Sequence, residues 1–184
     1  NGVTIHRLSH SQIPKHKKLG RIRNLISFTL AVRSWAKKQA TKSRRSNSIS
    51  QSASPEQPVW VCETDPFLLP LVVGPAARRQ NKRIVYYLQD IYPDVAVALG
   101  VAKNSFPIRY LRQRLKREYD QADRIVVLDS DMLDRLAGWG MDPSRIRIVP
   151  NWMDCTQVAP NKENNPLRNE WGLQNRFVVM HSGN

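Results

Sequence analysis

The chain has 184 residues, 41% of them hydrophobic, enough for one ordinary domain with a core and little more. Its net charge of +14 sits at one end: residues 1–58 hold twelve Lys/Arg against one acid, Glu56, and residues 59–184 hold seventeen against fourteen. No signal peptide or membrane-spanning run is read, and Cys62 and Cys155, without metal-type spacing, read as free thiols in a reducing compartment.

Taken in order, Val3–Arg7 alternates like a strand, so the N-terminus reads as cut, and Leu8–Lys18 is a polar loop with Pro14. Leu19–Ala40 has helical spacing, with Leu19, Ile22, Leu25, Ile26, Leu30 and Val32 apolar among Arg21, Arg23, Arg33, Lys37 and Lys38. This basic amphipathic helix suits an anionic membrane surface, a lipid-linked diphosphate, or an ordinary domain helix with a basic polar face. Thr41–Pro58 is rich in Ser, Gln and Asn and reads as a surface loop.

From Val59 short apolar strands alternate with helices. The strands are Val59–Cys62, Arg83–Leu88, Arg124–Leu128 and Arg145–Val149. The helices lie around Pro66–Gln80, Val95–Leu99, Ser105–Ala122 and Asp131–Gly138. Nearly all-apolar strands of four to six residues between helices predict an α/β fold, a Rossmann-like doubly wound parallel sheet covered on both faces. Ile146–Asp154 closes this domain, residues 1–154, and a further strand, Arg176–His181, begins a second, residues 155–184. A unit that opens and then stops reads as a polypeptide cut before its second lobe.

In a parallel sheet the strand C-termini share one edge, and ligands bind there. Polar tips follow each strand: Asp65, then Gln89 to Asp94, then Asp129 to Asp131, then Pro150 to Asp154. Gln89–Asp94 puts two carboxylates, an amide and a phenol at one strand mouth, a donor and acceptor set that hydroxyl-rich ligands require. Asp90 is the candidate catalytic residue; Gln89, Tyr92, Asp94, Ser130 and Asn151 are candidates for substrate binding. Asp94 equally suits a cap on Val95–Leu99, Ser130 or Asp131 a cap on the following helix, and Asp65-Pro66 a cap with a first-turn proline. Pro150 and Asp154 bound a candidate hinge. Ser182, Gly183 and Asn184 would let the backbone approach a phosphate, though any tight turn looks the same. No metal cluster or cofactor is read.

The ordered blocks T-D-P-F-L-L-P, Y-Y-L-Q-D-I-Y-P-D-V-A-V-A-L-G, Y-D-Q-A-D-R-I-V-V-L-D-S-D-M, I-R-I-V-P-N-W-M-D, L-R-N-E-W-G-L and F-V-V-M-H-S-G-N resemble bacterial family 4 glycosyltransferases, nearest to those building capsule, colanic-acid-like and O-antigen polysaccharide. The resemblance implies a GT-B architecture of two Rossmann-like lobes, an acceptor lobe and a nucleotide-sugar lobe. It implies retaining, metal-independent hexosyl transfer to a lipid-linked or glycan acceptor, in the cytoplasm or at the inner membrane face. It places Gln89 and Asp90 at the cleft, Asn151 and Asp154 at the hinge, and Ser182, Gly183 and Asn184 near the donor diphosphate. The sequence departs from the family pattern where the Gly-rich loop, the donor-site Arg/Lys pair and the two glutamates separated by seven residues are missing. Glu163 and Glu170 have six residues between them and precede the strand. The chain alone is therefore expected not to transfer sugar.

Two other readings stand beside this one. A basic nucleic-acid-binding module would interleave cations with aromatics, but residues 1–58 offer only Phe28 and Trp35, so no nucleic acid is expected. Another GT-B enzyme, such as a nucleotide-sugar epimerase, differs in residues beyond Asn184.

Overall fold

The computed structural model describes residues 2–14, 18–47, 58–156 and 165–181. The chain divides into two compact units, Asn1–Pro150 and Asn151–Asn184. In the first, β1 (Val59–Glu63), β2 (Arg83–Tyr87), β3 (Arg124–Val127) and β4 (Ile146–Ile148) form one parallel sheet in the order β1-β2-β3-β4. Helices α1 (Lys18–Asn47), α2 (Pro70–Arg79), α3 (Asp94–Ala98), α4 (Phe106–Asp120) and α5 (Ser130–Gly138) flank it. This is the α/β, Rossmann-like arrangement that the alternating pattern predicts.

The period-2 geometry of a strand sorts the sheet's side chains. Cys62, Ile84, Tyr86, Ile125, Val127 and Ile146 are buried and pack with Ala77 of α2, Leu115 and Tyr119 of α4, and Leu136 of α5. The intervening positions are more open: Val85, Tyr87 and Val126 are half-buried, and Val59 and Val61 are exposed. In α4 the apolar residues Leu111, Leu115 and Tyr119 recur every four positions, so one stripe faces the core. Helix α5 ends on a Schellman turn: Gly140 N donates to Ala137 O at 2.7 Å and Met141 N to Leu136 O at 3.2 Å. Gly140 takes φ 76° there, a left-handed conformation that glycine adopts without strain.

Several expected boundaries move. Val3–Arg7 is not a strand: among the described residues no neighbour pairs its backbone, and Val3 and Ile5 are exposed. Alternation marks a strand only where another strand accepts its hydrogen bonds. Likewise Arg176–His181 carries no strand among the described residues of the second unit, and its Phe177 and Val179 are exposed. That unit instead holds the short helix α6 (Pro166–Glu170), capped by Asn165, whose side chain accepts from Leu167 N at 3.0 Å. Helix α1 continues past Ala40 to Asn47, a stretch in which Lys42, Arg44 and Arg45 favour helix. Helix α2 begins at Pro70, so Asp65 does not cap it.

Cys62 is buried and Cys155 exposed. Burial, and then the neighbouring Glu63 carboxylate, push the Cys62 thiol up to about 12 from an ordinary 9.0. The folded pKa is raised, so the stability from keeping this thiol neutral is complete below pH 9 and is lost as pH climbs towards 12. At pH 8 a thiol-reactive disulfide should therefore titrate Cys155 alone in the native chain and both cysteines in denaturant. Two fast-reacting thiols in the native chain would contradict the burial.

Candidate functional site

Because the four strands are parallel, the chain leaves each one at the same edge. A cleft of about 330 Å³ opens there. Gln89, Asp90 and Asp94 line it from the loop after β2 and the start of α3, and Asp129, Asp131 and Arg135 from the end of β3 and α5. Ile91, Val95 and Met132 supply apolar wall. The cleft thus presents four carboxylates, one amide and one guanidinium to whatever enters it.

The carboxylates differ in their engagement. Asp94 has a side chain only 12% exposed. It accepts from Arg112 Nε at 2.7 Å, lies 2.6 Å from Arg112 Nη2, and accepts from Trp139 Nε1 at 3.2 Å and Arg135 Nη1 at 3.4 Å. Pro93, not Asp94, is the N-cap of α3, and no side chain caps that helix. Asp94 therefore ties α3 to α4 and α5 and fixes the C-terminal end of the loop. Asp129 is the N-cap of α5, accepting from Met132 N at 2.8 Å. The sequence placed that cap on Ser130 or Asp131. Ser130 is the first helical residue, exposed and absent from the cleft lining. Asp90 is exposed, at the cleft, on the loop that Asp94 anchors.

Tyr92 belongs to a second cleft, of about 790 Å³. Its ring stacks on Phe67, with centroids 4.7 Å apart and planes 15° from parallel. Burial, then Asp90 and Asp65, raise its phenol above the ordinary value, so it remains a hydrogen-bond donor at neutral pH. The flanking bonds Asp65-Pro66 and Tyr92-Pro93 are both cis. The opposite wall comes from α1 and the segment before it: Arg21, Asn24, Leu25, Phe28 and His10. Sequence reasoning counted Arg21 only as part of a basic helix face and missed His10 and Phe67.

Helix α1 is apolar on two sides. Phe28, Val32, Trp35 and Ala36 line a cavity against β1 and α2. Along the outer side Leu19, Ile22, Ile26 and Leu30 are 82%, 53%, 47% and 53% exposed, and Arg23, Arg33 and Lys37 are exposed as well. None of the described helices is long and apolar enough to cross a membrane.

Pro150, the last residue of the first unit, is exposed. Asn151 and Asp154 are exposed in the second unit, where Asp154 accepts from Thr156 N at 3.0 Å and Thr156 Oγ1 at 2.6 Å, an Asx turn. Ser182, Gly183 and Asn184 lie outside the described residues. Among the described residues no three His, Cys, Asp or Glu side chains are grouped as a metal site needs.

A parallel α/β lobe with its polar loops gathered at the carboxyl edge of the sheet is a Rossmann-like ligand-binding lobe. The profile of Glycosyltransferase Family 4 matches residues 3–157, and the chain belongs to that family. It is also 32% identical over 104 residues, 54% of its own length, to the probable glycosyltransferase WbjE of Pseudomonas aeruginosa. Those residues cover 26% of that relative, so the chain spans about a quarter of it.

Proposed function

We propose that residues 1–154 form the acceptor-side lobe of a retaining, metal-independent glycosyltransferase, and that residues 155–184 begin its donor-side lobe. The enzyme moves a hexose from a nucleotide-sugar to a lipid-linked glycan acceptor during surface polysaccharide biosynthesis. The carrying observation is the cleft at the sheet's carboxyl edge, where Gln89 and Asp90 stand opposite Asp129 and Asp131 on a loop anchored by Asp94. In the transfer the bond from sugar C1 to the diphosphate oxygen breaks with its electrons leaving on the diphosphate. The acceptor oxygen bonds to C1 and passes its proton to the departing diphosphate oxygen. Asp90 accepts a hydrogen bond from the acceptor hydroxyl and holds it on the face of the sugar from which the diphosphate departs, as retention requires. Pro150 and Asp154 bound the hinge that closes the cleft, with Asn151 beside it; Ser182, Gly183 and Asn184 approach the donor diphosphate.

The outer stripe of α1 supports a peripheral contact with the cytoplasmic membrane face. Four exposed apolar side chains, flanked by cations on a strongly basic segment, match an interface of acyl chains and anionic headgroups. Anionic vesicles should sediment the chain and neutral vesicles should not. Replacing Ile22 and Ile26 with Asn should release it; unchanged sedimentation would remove the membrane from this reading.

The transfer itself is tested on the full-length protein that carries this chain, using labelled nucleotide-sugars and a polyprenyl-diphosphate-linked glycan. Label should enter the lipid fraction, and Asp90→Asn should lower kcat/KM about tenfold, the worth of a hydrogen bond to a charged group. The 184-residue chain alone should transfer nothing. A full-length protein that turns over no nucleotide-sugar, or an Asp90→Asn variant of unchanged kcat/KM, would overturn the assignment.

A further inference from the structure

We infer that the cleft between α1 and the loops after β1 and β2 is a subsite for a pyranosyl phosphate, distinct from the Asp90 cleft. The inference deepens the glycosyltransferase reading and rests on it, because it names the chemistry by which the acceptor is held.

Three features converge. Phe67 and Tyr92, stacked on one another, both line the cleft, each offering a ligand the ring face its neighbour does not cover. The C–H face of a pyranose ring is apolar with weakly positive hydrogens, and it seats on the negative face of such rings. Asp65, on the same side, offers acceptors to ring hydroxyls. Arg21, whose planar fork matches two phosphate oxygens, also lines the cleft, as does His10. Ring face, hydroxyl acceptor and anion site together describe a sugar phosphate. Inorganic phosphate would use only the last of them, and a free sugar only the first two.

The wall carrying the cations is built in place. The Asn24 side chain accepts from Ser11 Oγ at 2.9 Å and from Ile13 N at 3.0 Å, and donates to Ile13 O at 2.9 Å. Ser11 N donates to Ser27 Oγ at 3.1 Å, and the His10 ring meets Phe28 edge-on at 5.1 Å. These bonds hold irregular backbone against α1, so the cleft exists before a ligand arrives. The cleft's volume falls within the range of small-molecule sites, on the order of 300–1,000 Å³.

Titration calorimetry on the 184-residue chain tests this with glucose 1-phosphate, glucose, inorganic phosphate and a farnesyl-diphosphoryl glucose. Glucose 1-phosphate should bind at least about tenfold more tightly than glucose or phosphate, the increment of a charge-assisted contact. Arg21→Gln, an exposed substitution, should bring glucose 1-phosphate down to the level of glucose. Phe67→Leu should weaken both sugars about fivefold without changing their ratio. Tighter binding of the farnesyl compound assigns the subsite to a lipid-linked acceptor, and equal binding to a soluble sugar phosphate. If Arg21→Gln leaves glucose 1-phosphate affinity intact, or the folded chain binds none of the probes, the subsite is wrong. The transferase reading is decided separately by nucleotide-sugar turnover. Should Phe67→Leu fail to fold, Arg21→Gln still decides.

Discussion

Asp94→Ala should destabilise the first unit by about 3 kcal/mol, the cost of stranding the partners of a largely buried carboxylate. At this chain length that lowers the melting temperature by roughly 6–12 °C. The three partners of Asp94 do not contribute equally. Arg135 is 58% exposed in its side chain, so water already solvates it, and that ion pair contributes little. Arg112 is 26% exposed, contacts Asp94 through two nitrogens, and also lies 5.9 Å from the Trp139 ring. Removing the carboxylate leaves this half-buried guanidinium without its anion and the Trp139 N–H without its acceptor. Asp94→Asn keeps an acceptor in place and should cost less. The consequence reaches the cleft, because Asp94 fixes the loop that carries Asp90. Asp94→Ala should thus weaken ligand binding at the cleft as well as melt early. A melting temperature within about 2 °C of wild type would show that the network is solvated and carries no load.

The strands and the edge they share were legible because both follow from local pattern. Four short apolar runs separated by helices leave few topologies, and parallel pairing then sends Asp65, Gln89, Asp90 and Asp129 to one rim. The role of Asp94 was not legible. Its partners are Arg112, Arg135 and Trp139, 18, 41 and 45 residues away, and only the packing of α3, α4 and α5 joins them. The cap of α5 was missed by one residue. Asp129, Ser130 and Asp131 are all good caps, and the choice falls to the residue whose backbone is extended, Asp129 at φ −150° and ψ 177°. Val3–Arg7 and Arg176–His181 failed for the opposite reason: a strand-like pattern is a property of one segment, whereas a strand needs two. His10 reaches the Tyr92 cleft because Asn24 and Ser27 fasten the segment before α1 to that helix, a set of contacts no periodicity announces.

Gly74→Ala should cost about 3 kcal/mol, against the ordinary preference for Ala inside a helix. Gly74 lies mid-way along α2 and is buried where that helix crosses β2 and α4. A Cβ there would collide with the Tyr86 hydroxyl and stand 2.7 Å from Glu118 Oε2. Neither group can swing into solvent. Tyr86 is fully buried, donates to Pro70 O at 3.3 Å, and packs edge-on against Tyr119 at 5.2 Å. Glu118 is buried and accepts from Arg78 Nη2 at 2.7 Å. The extra methyl must therefore displace the tyrosine or break the ion pair, and either change leaves a polar group buried without its partner. Gly138, exposed with open space around its Cβ position, is the control: Gly138→Ala should be neutral or slightly stabilising. A double-mutant cycle isolates the cause. Tyr86→Phe alone should cost about 1 kcal/mol through its lost hydrogen bond. Combined with Gly74→Ala it removes the oxygen that the new methyl strikes, so the pair should cost at least about 1 kcal/mol less than the sum of the single changes. Strict additivity in denaturant unfolding would mean that the methyl is accommodated elsewhere, and that the close approach of α2 to β2 does not require glycine.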